Sequence, residues 1–222
     1  PLGLDPDDQQ GCGALAERAG QWQQKALREA KLRSSWTAPD ATYEQACESY
    51  LQRLLTAREG IELRRALAHA VQLTGCNGAL NGLAQSMLRM TCPGVPDLYQ
   101  GCEYWDFSMV DPDNRRPVDY PTRMSSLSSS PDPTELLRSW TDGRIKQWLI
   151  GRVLTTRRQF PELFSRGDYQ PLRVQGQHAH RLVAFCRRHG EHLAVVLVPR
   201  LAAPLLRDSE QPLIPPGNWG DT

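Results

Sequence analysis

No apolar stretch in this 222-residue chain is long enough to cross a bilayer: the longest, Leu193 to Val198, has six residues against the roughly twenty a spanning helix needs. Nor is there a surplus of charge. With 26 basic and 25 acidic residues, net +1, nothing points to nucleic acid or an anionic membrane as partner. The six cysteines, Cys12, Cys47, Cys76, Cys92, Cys102 and Cys186, form no C-x-x-C pair or regular spacing. Reduced, structural thiols and a cytoplasmic setting are expected. Cys102 has no nearby His to activate it as a nucleophile. No secretory leader is visible in the sequence given and no Met opens it, while it stops at Thr222 without an evident finish. Both ends are expected to be cut from a longer polypeptide. P-loop, H-E-x-x-H and G-x-S-x-G patterns are also missing. Gly11 to Ala16 matches the dinucleotide pattern G-x-G-x-x-A, but no strand precedes it to aim a helix N-terminus at a pyrophosphate, so no cofactor is expected. His178 and His180 would share a strand face and His189 and His192 a hairpin tip. No further ligand completes either pair, so no metal is expected.

What is present is mostly helical periodicity followed by a change of character. Residues 1–13 are rich in Asp, Gln and Gly and read as loop or disorder. Ala14 to about Arg33 reads as a helix. Tyr43, Ala46, Cys47, Tyr50, Leu51, Leu54 and Leu55 fall on one helical face. Glu62 to Thr74 and Leu80 to Met90 read as two further helices interrupted at Gly75-Cys76-Asn77-Gly78. Thr91 to Gly94 stops the second, and Val95 to Gln100 is expected to be a short buried strand. Arg123 to Thr134, rich in Ser and Pro, reads as a flexible excursion. Asp142 is placed to cap a helix running to about Phe160. After Pro161 come three short β-type segments, Tyr169–Val174, Arg181–Arg187 and His192–Val198, the signal of antiparallel strands in a unit that starts near Gly167 and continues past Thr222.

Cys92 to Tyr120 stands apart. It carries Asp97, Glu103, Asp106, Asp111, Asp113 and Asp119, the adjacent Arg115 and Arg116, and the rings of Tyr99, Tyr104, Trp105 and Phe107, all on a segment broken by Pro and Gly. Carboxylates and guanidinium forks make paired hydrogen bonds to vicinal hydroxyls, and flat rings accept sugar faces. An ordinary charged loop explains the same composition. For Asp111, Asp113, Arg115 and Arg116, mutual pairing that stiffens the loop and direct sugar contact both remain open.

Pro93-Gly94-Val95-Pro96-Asp97-Leu98-Tyr99-Gln100-Gly101-Cys102-Glu103 resembles the P-G-x-P-x-x-Y-x-G-x-E segment at the eighth barrel strand of the α-amylase superfamily (glycoside hydrolase family 13). Asp111-Pro112-Asp113-Asn114-Arg115-Arg116-Pro117 is similar to the block that follows it. Within that superfamily the run from Pro93 to Asp119 is closest to the maltooligosyltrehalose synthase family, with Cys102 where a Thr is usual. Arg28-Glu29-Ala30-Lys31, Ser35-Trp36, Tyr43-Glu44, Asn81 to Gln85, Pro161 to Tyr169, Val198 to Arg200 and Trp219 to Thr222 extend the resemblance over nearly everything after Gln21.

The resemblance implies an α/β fold: residues 14–166 as the C-terminal part of a (β/α)8 barrel, mostly helical in this stretch, and 167–222 as the start of an antiparallel all-β domain. It implies an isomerase that moves the reducing-end α-1,4 bond of a maltooligosaccharide to α,α-1,1 in trehalose biosynthesis. The family's catalytic Asp, Glu and second Asp lie on earlier barrel strands, in motifs not found here, so no catalytic residue is assigned. Gln100, Glu103, Asp106, Asp111, Asp113, Asn114, Arg115 and Arg116 are the expected substrate contacts or their supports. Expected partners are the maltooligosaccharide and the N-terminal remainder of the barrel. Another glucan hydrolase or transferase of the superfamily, or a non-catalytic glucan-binding module, are the alternatives.

Overall fold

The computed structural model describes Gly3 and residues 5–129, 131–207 and 209–222. These divide into two compact units, one made of residues 1–73 and 107–117, the other of 74–106 and 118–222. The expected boundary at 166/167 does not coincide with this division, because the strands share a unit with most of the later helices.

In the first unit α1 spans Gln9–Ala30. It starts five residues earlier than the composition implied, because the Asp8 carboxylate accepts the amides of Gln10 and Gly11 at 3.0 Å each. Residues 1–13 are therefore not all loop; Pro1, Leu2 and Leu4 lie outside the described residues. Helix α2, Ala41–Thr56, is capped by Asp40 on the Tyr43 amide. Gly60 lets the chain leave α2 tightly, since a Cβ there would meet the Leu54 carbonyl oxygen at 1.9 Å. Arg64, almost fully buried, donates to Pro6 O and Ala57 O at 3.1 and 2.8 Å, tying these ends together.

Helix α3 runs unbroken over Ile61–Thr91. Gly75 and Gly78 do not interrupt it: each costs about 1 kcal/mol in a helix, less than is recovered where Leu80, Ala84 and Met90 bury beyond them. In the second unit, Leu80 packs with Ala202, Leu205, Leu206 and Ile214. Ala84 packs with Phe185, Val196 and Val198. Met90 packs with Ile150 and Val153, and Met87 touches both of the latter groups. The last turns of α3 are thus the spine of that unit.

Residues 95–100 form no strand. The stretch has no regular secondary structure and pairs with no described strand, and Val95 is 95% exposed. A strand needs a neighbour to pair with, and among the described residues none lies beside this stretch. The stretch 123–134 is likewise not an open excursion: α4 (Tyr120–Ser128) is capped by Asp119 and α5 (Pro133–Arg138) by Asp132, each with Pro in its first turn. Ser130 lies outside the described residues. Helix α6 is Arg144–Gln159 and α7 Pro161–Ser165. The strands β1 (Asp168–Pro171), β2 (Leu182–His189) and β3 (His192–Pro199) make one antiparallel sheet in that order. Its register sets His189 opposite His192, while His178 and His180 sit in a turn and a 3-10 segment rather than on a strand.

Arg187 locks sheet to helices. Only 1% exposed, it donates to the carbonyls of Thr91, Phe164, Gly167 and Asp168 at 2.8 to 3.2 Å. Arg187→Ala orphans four acceptors, each worth about 1–3 kcal/mol when buried unpaired, so urea unfolding should register a loss of about 3 kcal/mol or more. Arg187→Lys should recover less than half. A loss under about 1 kcal/mol contradicts this role.

Candidate functional site

Within the first unit, residues 107–117 are organised from inside outward. Asp113 is 4% exposed. Arg18 on α1 grips it with Nε on Oδ1 at 2.9 Å and Nη2 on Oδ2 at 2.8 Å, and the same Nη2 reaches Phe107 O at 3.0 Å. The Met109 amide donates to Oδ2 at 2.7 Å, and Arg116 Nε lies 3.1 Å from Oδ1. Arg18 above all, helped by the Met109 amide and Arg116 and opposed by burial, holds this carboxyl down to about 2. One turn along the loop, Asp111 is shared between Lys25 Nζ at 3.2 Å and Arg115 Nη2 at 3.1 Å. The Asp111–Pro112 peptide is cis.

Mutual pairing of these four residues is present in the structure: the aspartates pair with α1 and the arginines bridge back to them. Asn114 is exposed, and the side chains of Arg115 and Arg116 are 74% and 53% exposed. The guanidinium N–H groups of Arg115 and Arg116 not bound to Asp111 or Asp113, and the Asn114 amide, belong to exposed side chains.

The second unit holds Gln100, Glu103 and Asp106. Gln100 and Asp106 are exposed. Glu103 faces Arg123 at 3.4 Å, and Arg123 also donates to Gly101 O at 2.7 Å and lies 4.7 Å over the Tyr104 ring. Cys102 Sγ is 3.6 Å from Asp106 Oδ2; burial first, then that carboxylate, push the thiol up, away from thiolate chemistry. Lys146 donates to Tyr104 O at 3.1 Å, and burial pulls its ammonium down. Trp105 donates Nε1 to Trp140 O at 2.6 Å. Gly143, at φ 85°, is what admits this loop beside α6, because a Cβ there would sit 2.9 Å from the Trp105 nitrogen. The rings of Tyr104 and Trp105 are therefore engaged inside the fold rather than offered as flat faces. Tyr99 and Phe107 remain exposed.

A third arrangement joins residues far apart in the sequence reading. Glu44, buried on α2, takes Arg28 Nε and Nη2 at 2.8 Å each and the Ser34 hydroxyl, which fixes Arg28 at 4.9 Å over the Trp36 ring. Arg28 and Ser34 hold the Glu44 carboxyl down to about 2. A shallow polar cavity of about 280 Å³ beside it is lined by Glu17, Gln21, Gln24, Glu48 and Gln52. Among the described residues no three of His, Cys, Asp and Glu converge as a metal site, and no helix is long and apolar enough to cross a membrane. Arg18 and Lys25 escaped the sequence reading. Their spacing of seven, two turns on one helix face, was the only local signal.

Comparison with known proteins gives one consistent family. No protein-family model matches the chain. It is 35% identical over 99% of its length to a protein of Mycobacterium tuberculosis named "Putative maltooligosyl trehalose synthase", and it spans 27% of that relative. A solved maltooligosyl trehalose synthase aligns over 84% of this chain and 25% of its own, at 29% identity and a TM-score of 0.71. The maltooligosyltrehalose synthase of Arthrobacter ramosus aligns over 87% and 24%, at 34% identity and 0.69. The chain thus spans about a quarter of the length of the relatives it matches.

Asp113 and Glu44 both titrate below their ordinary values of 3.8 and 4.5, so the unfolded chain takes up protons first as pH falls. Their contribution is complete above about pH 4.5 and lost on the way down to about 2. Melting temperature followed from pH 6 to pH 2 should fall across that window, and Asp113→Asn with Glu44→Gln should flatten the fall. An unchanged slope in the double variant contradicts the assignment.

Proposed function

We propose that this chain, a relative of maltooligosyl trehalose synthases along nearly its whole length, is one section of such an enzyme: a wall of the sugar site together with scaffold. As part of the complete protein it would serve an isomerase that converts the reducing-end α-1,4 bond of a maltooligosaccharide to α,α-1,1, the trehalose linkage. The observation that carries this reading is the group of exposed donor-bearing side chains at Asn114, Arg115 and Arg116, set in a sequence run similar to that family's. Guanidinium N–H groups suit the hydroxyl and ring oxygens of a neutral glucan, which are acceptors. Gln100, Glu103 and Asp106 are proposed as a separate set of sugar contacts or supports.

Several exposed apolar side chains support a covering partner. In the first unit Trp22, Leu32, Tyr50 and Leu73 lie open, and in the second Val95. The remainder of a barrel carried on the same polypeptide is the partner proposed, with 95–100 pairing as a strand only once its neighbours are present. The six free cysteines fit a reducing, cytoplasmic setting. Bond breaking and remaking is assigned to carboxylates outside this chain, since Asp111 and Asp113 are ion-paired and Glu103 faces Arg123.

Two outcomes follow. Incubated alone with maltopentaose, the chain should leave reducing ends intact, whereas the complete protein should consume them; clear loss with the chain alone contradicts the division of labour. In the complete protein, Arg115→Ala should lower kcat/KM at least about tenfold. Its melting temperature should move by less than about 2 °C, because an exposed ion pair is worth about 0–1 kcal/mol. A large drop in melting temperature with kcat/KM preserved would assign Arg115 to structure, and shorter products that keep reducing ends would favour a hydrolase.

A further inference from the structure

Two charge chains run from α1 through the loop, and they are built alike. Arg18 reaches Asp113, which reaches Arg116; Lys25 reaches Asp111, which reaches Arg115. Each begins on a helix cation, passes through a loop aspartate and ends on an exposed loop arginine. The helix cations are seven residues apart, two turns on one face, while the aspartates are two apart and the arginines adjacent. A rigid helix thereby dictates where a loop whose own regular structure is one short 3-10 turn, Asp113–Arg115, presents its guanidinium groups.

Arg18 is the more consequential member. Its fork closes on both Asp113 oxygens and on Phe107 O, so one side chain fixes the start of the loop and its buried carboxylate together. Lysine offers a single point charge where arginine offers a planar fork, so the two are not interchangeable at this position. The Lys25 pair is the looser one, a single contact at 3.2 Å to a half-buried Asp111.

We infer that Arg18, supported by Lys25, is a positioning residue for substrate: it holds Asp113 and Asp111 against α1 so that Asn114, Arg115 and Arg116 meet the glucan in one fixed arrangement. Neither helix cation touches the sugar. Their effect is on how much of the binding energy is lost to ordering the loop, and it therefore falls on KM more than on the chemical step. This rests on the glucan-reading role proposed above, and its failure is separable from that reading.

The test uses the complete protein with maltopentaose as substrate and trypsin as the probe of the loop, whose Arg115 and Arg116 side chains are exposed. For Arg18→Ala, cleavage after Arg115 should accelerate at least about tenfold, and the melting temperature should fall as well because the buried Asp113 loses its principal partner. KM should rise about tenfold while kcat stays within about threefold. Arg18→Lys should recover part of each effect. Lys25→Ala should shift cleavage and KM the same way by about threefold, and it carries the test if Arg18→Ala does not fold. Because the Lys25 pair is partly exposed, the melting temperature of Lys25→Ala should stay within about 2 °C. Faster cleavage with KM and kcat unchanged overturns the inference, as does a raised KM with unchanged cleavage. If the unaltered protein leaves maltopentaose intact, the glucan reading itself fails before any variant is compared.

Discussion

An ionised carboxylate removed from water must be met by cations or donors, and Asp113 is the place where that requirement shapes the molecule. Burying it unpaired would cost several kcal/mol. Here Arg18, the Met109 amide and Arg116 meet it. Because two of those partners are on the loop itself and one is on a helix, satisfying the charge also folds the loop and docks it. The same logic recurs within the first unit at Glu44, where Arg28 and Ser34 converge and Arg28 is left stacked on Trp36. That unit holds together as much through buried charge as through apolar contact. Tyr50, Leu63 and Leu67 of that unit stay exposed.

The second unit solves the inverse problem. There the buried charge is Arg187, and it is answered by four carbonyls gathered from the end of α3, from α7, from the link after it and from β1. Met87, near the C-terminal end of α3, links the apolar group under the sheet to the one under α6. Sheet and later helices therefore belong to one packing arrangement within this unit.

How legible this was depended on whether a signal was local. Helix α2 could be read from its apolar spacing and the hairpin of β2 and β3 from two β-rich runs separated by Arg188 to Glu191. The caps at Asp119 and Asp132, each with a following Pro, were equally local, but the Ser-rich composition around them masked the signal. Gly75 and Gly78 were misread because helix propensity is a small term beside the burial of Leu80, Ala84 and Met90. Val95 to Gln100 has strand-like residues, yet a strand exists only through its partners, and none is within the described chain. At the site, the motif identified the loop and its family resemblance, and Arg115 and Arg116 do face outward. What it could not reveal was that Asp113 is bound by Arg18, 95 residues away, since nothing in either neighbourhood encodes the other.

The proposed glucan-reading surface is residues 107–117, held by α1. Amide hydrogen exchange of the complete protein, with and without saturating maltopentaose, tests it most directly. The account predicts that the ligand slows exchange at Asn114, Arg115 and Arg116 while the Met109 amide, already bound to Asp113, is protected in both states. Protection confined to other segments, with 107–117 exchanging at the same rate in both samples, would contradict it.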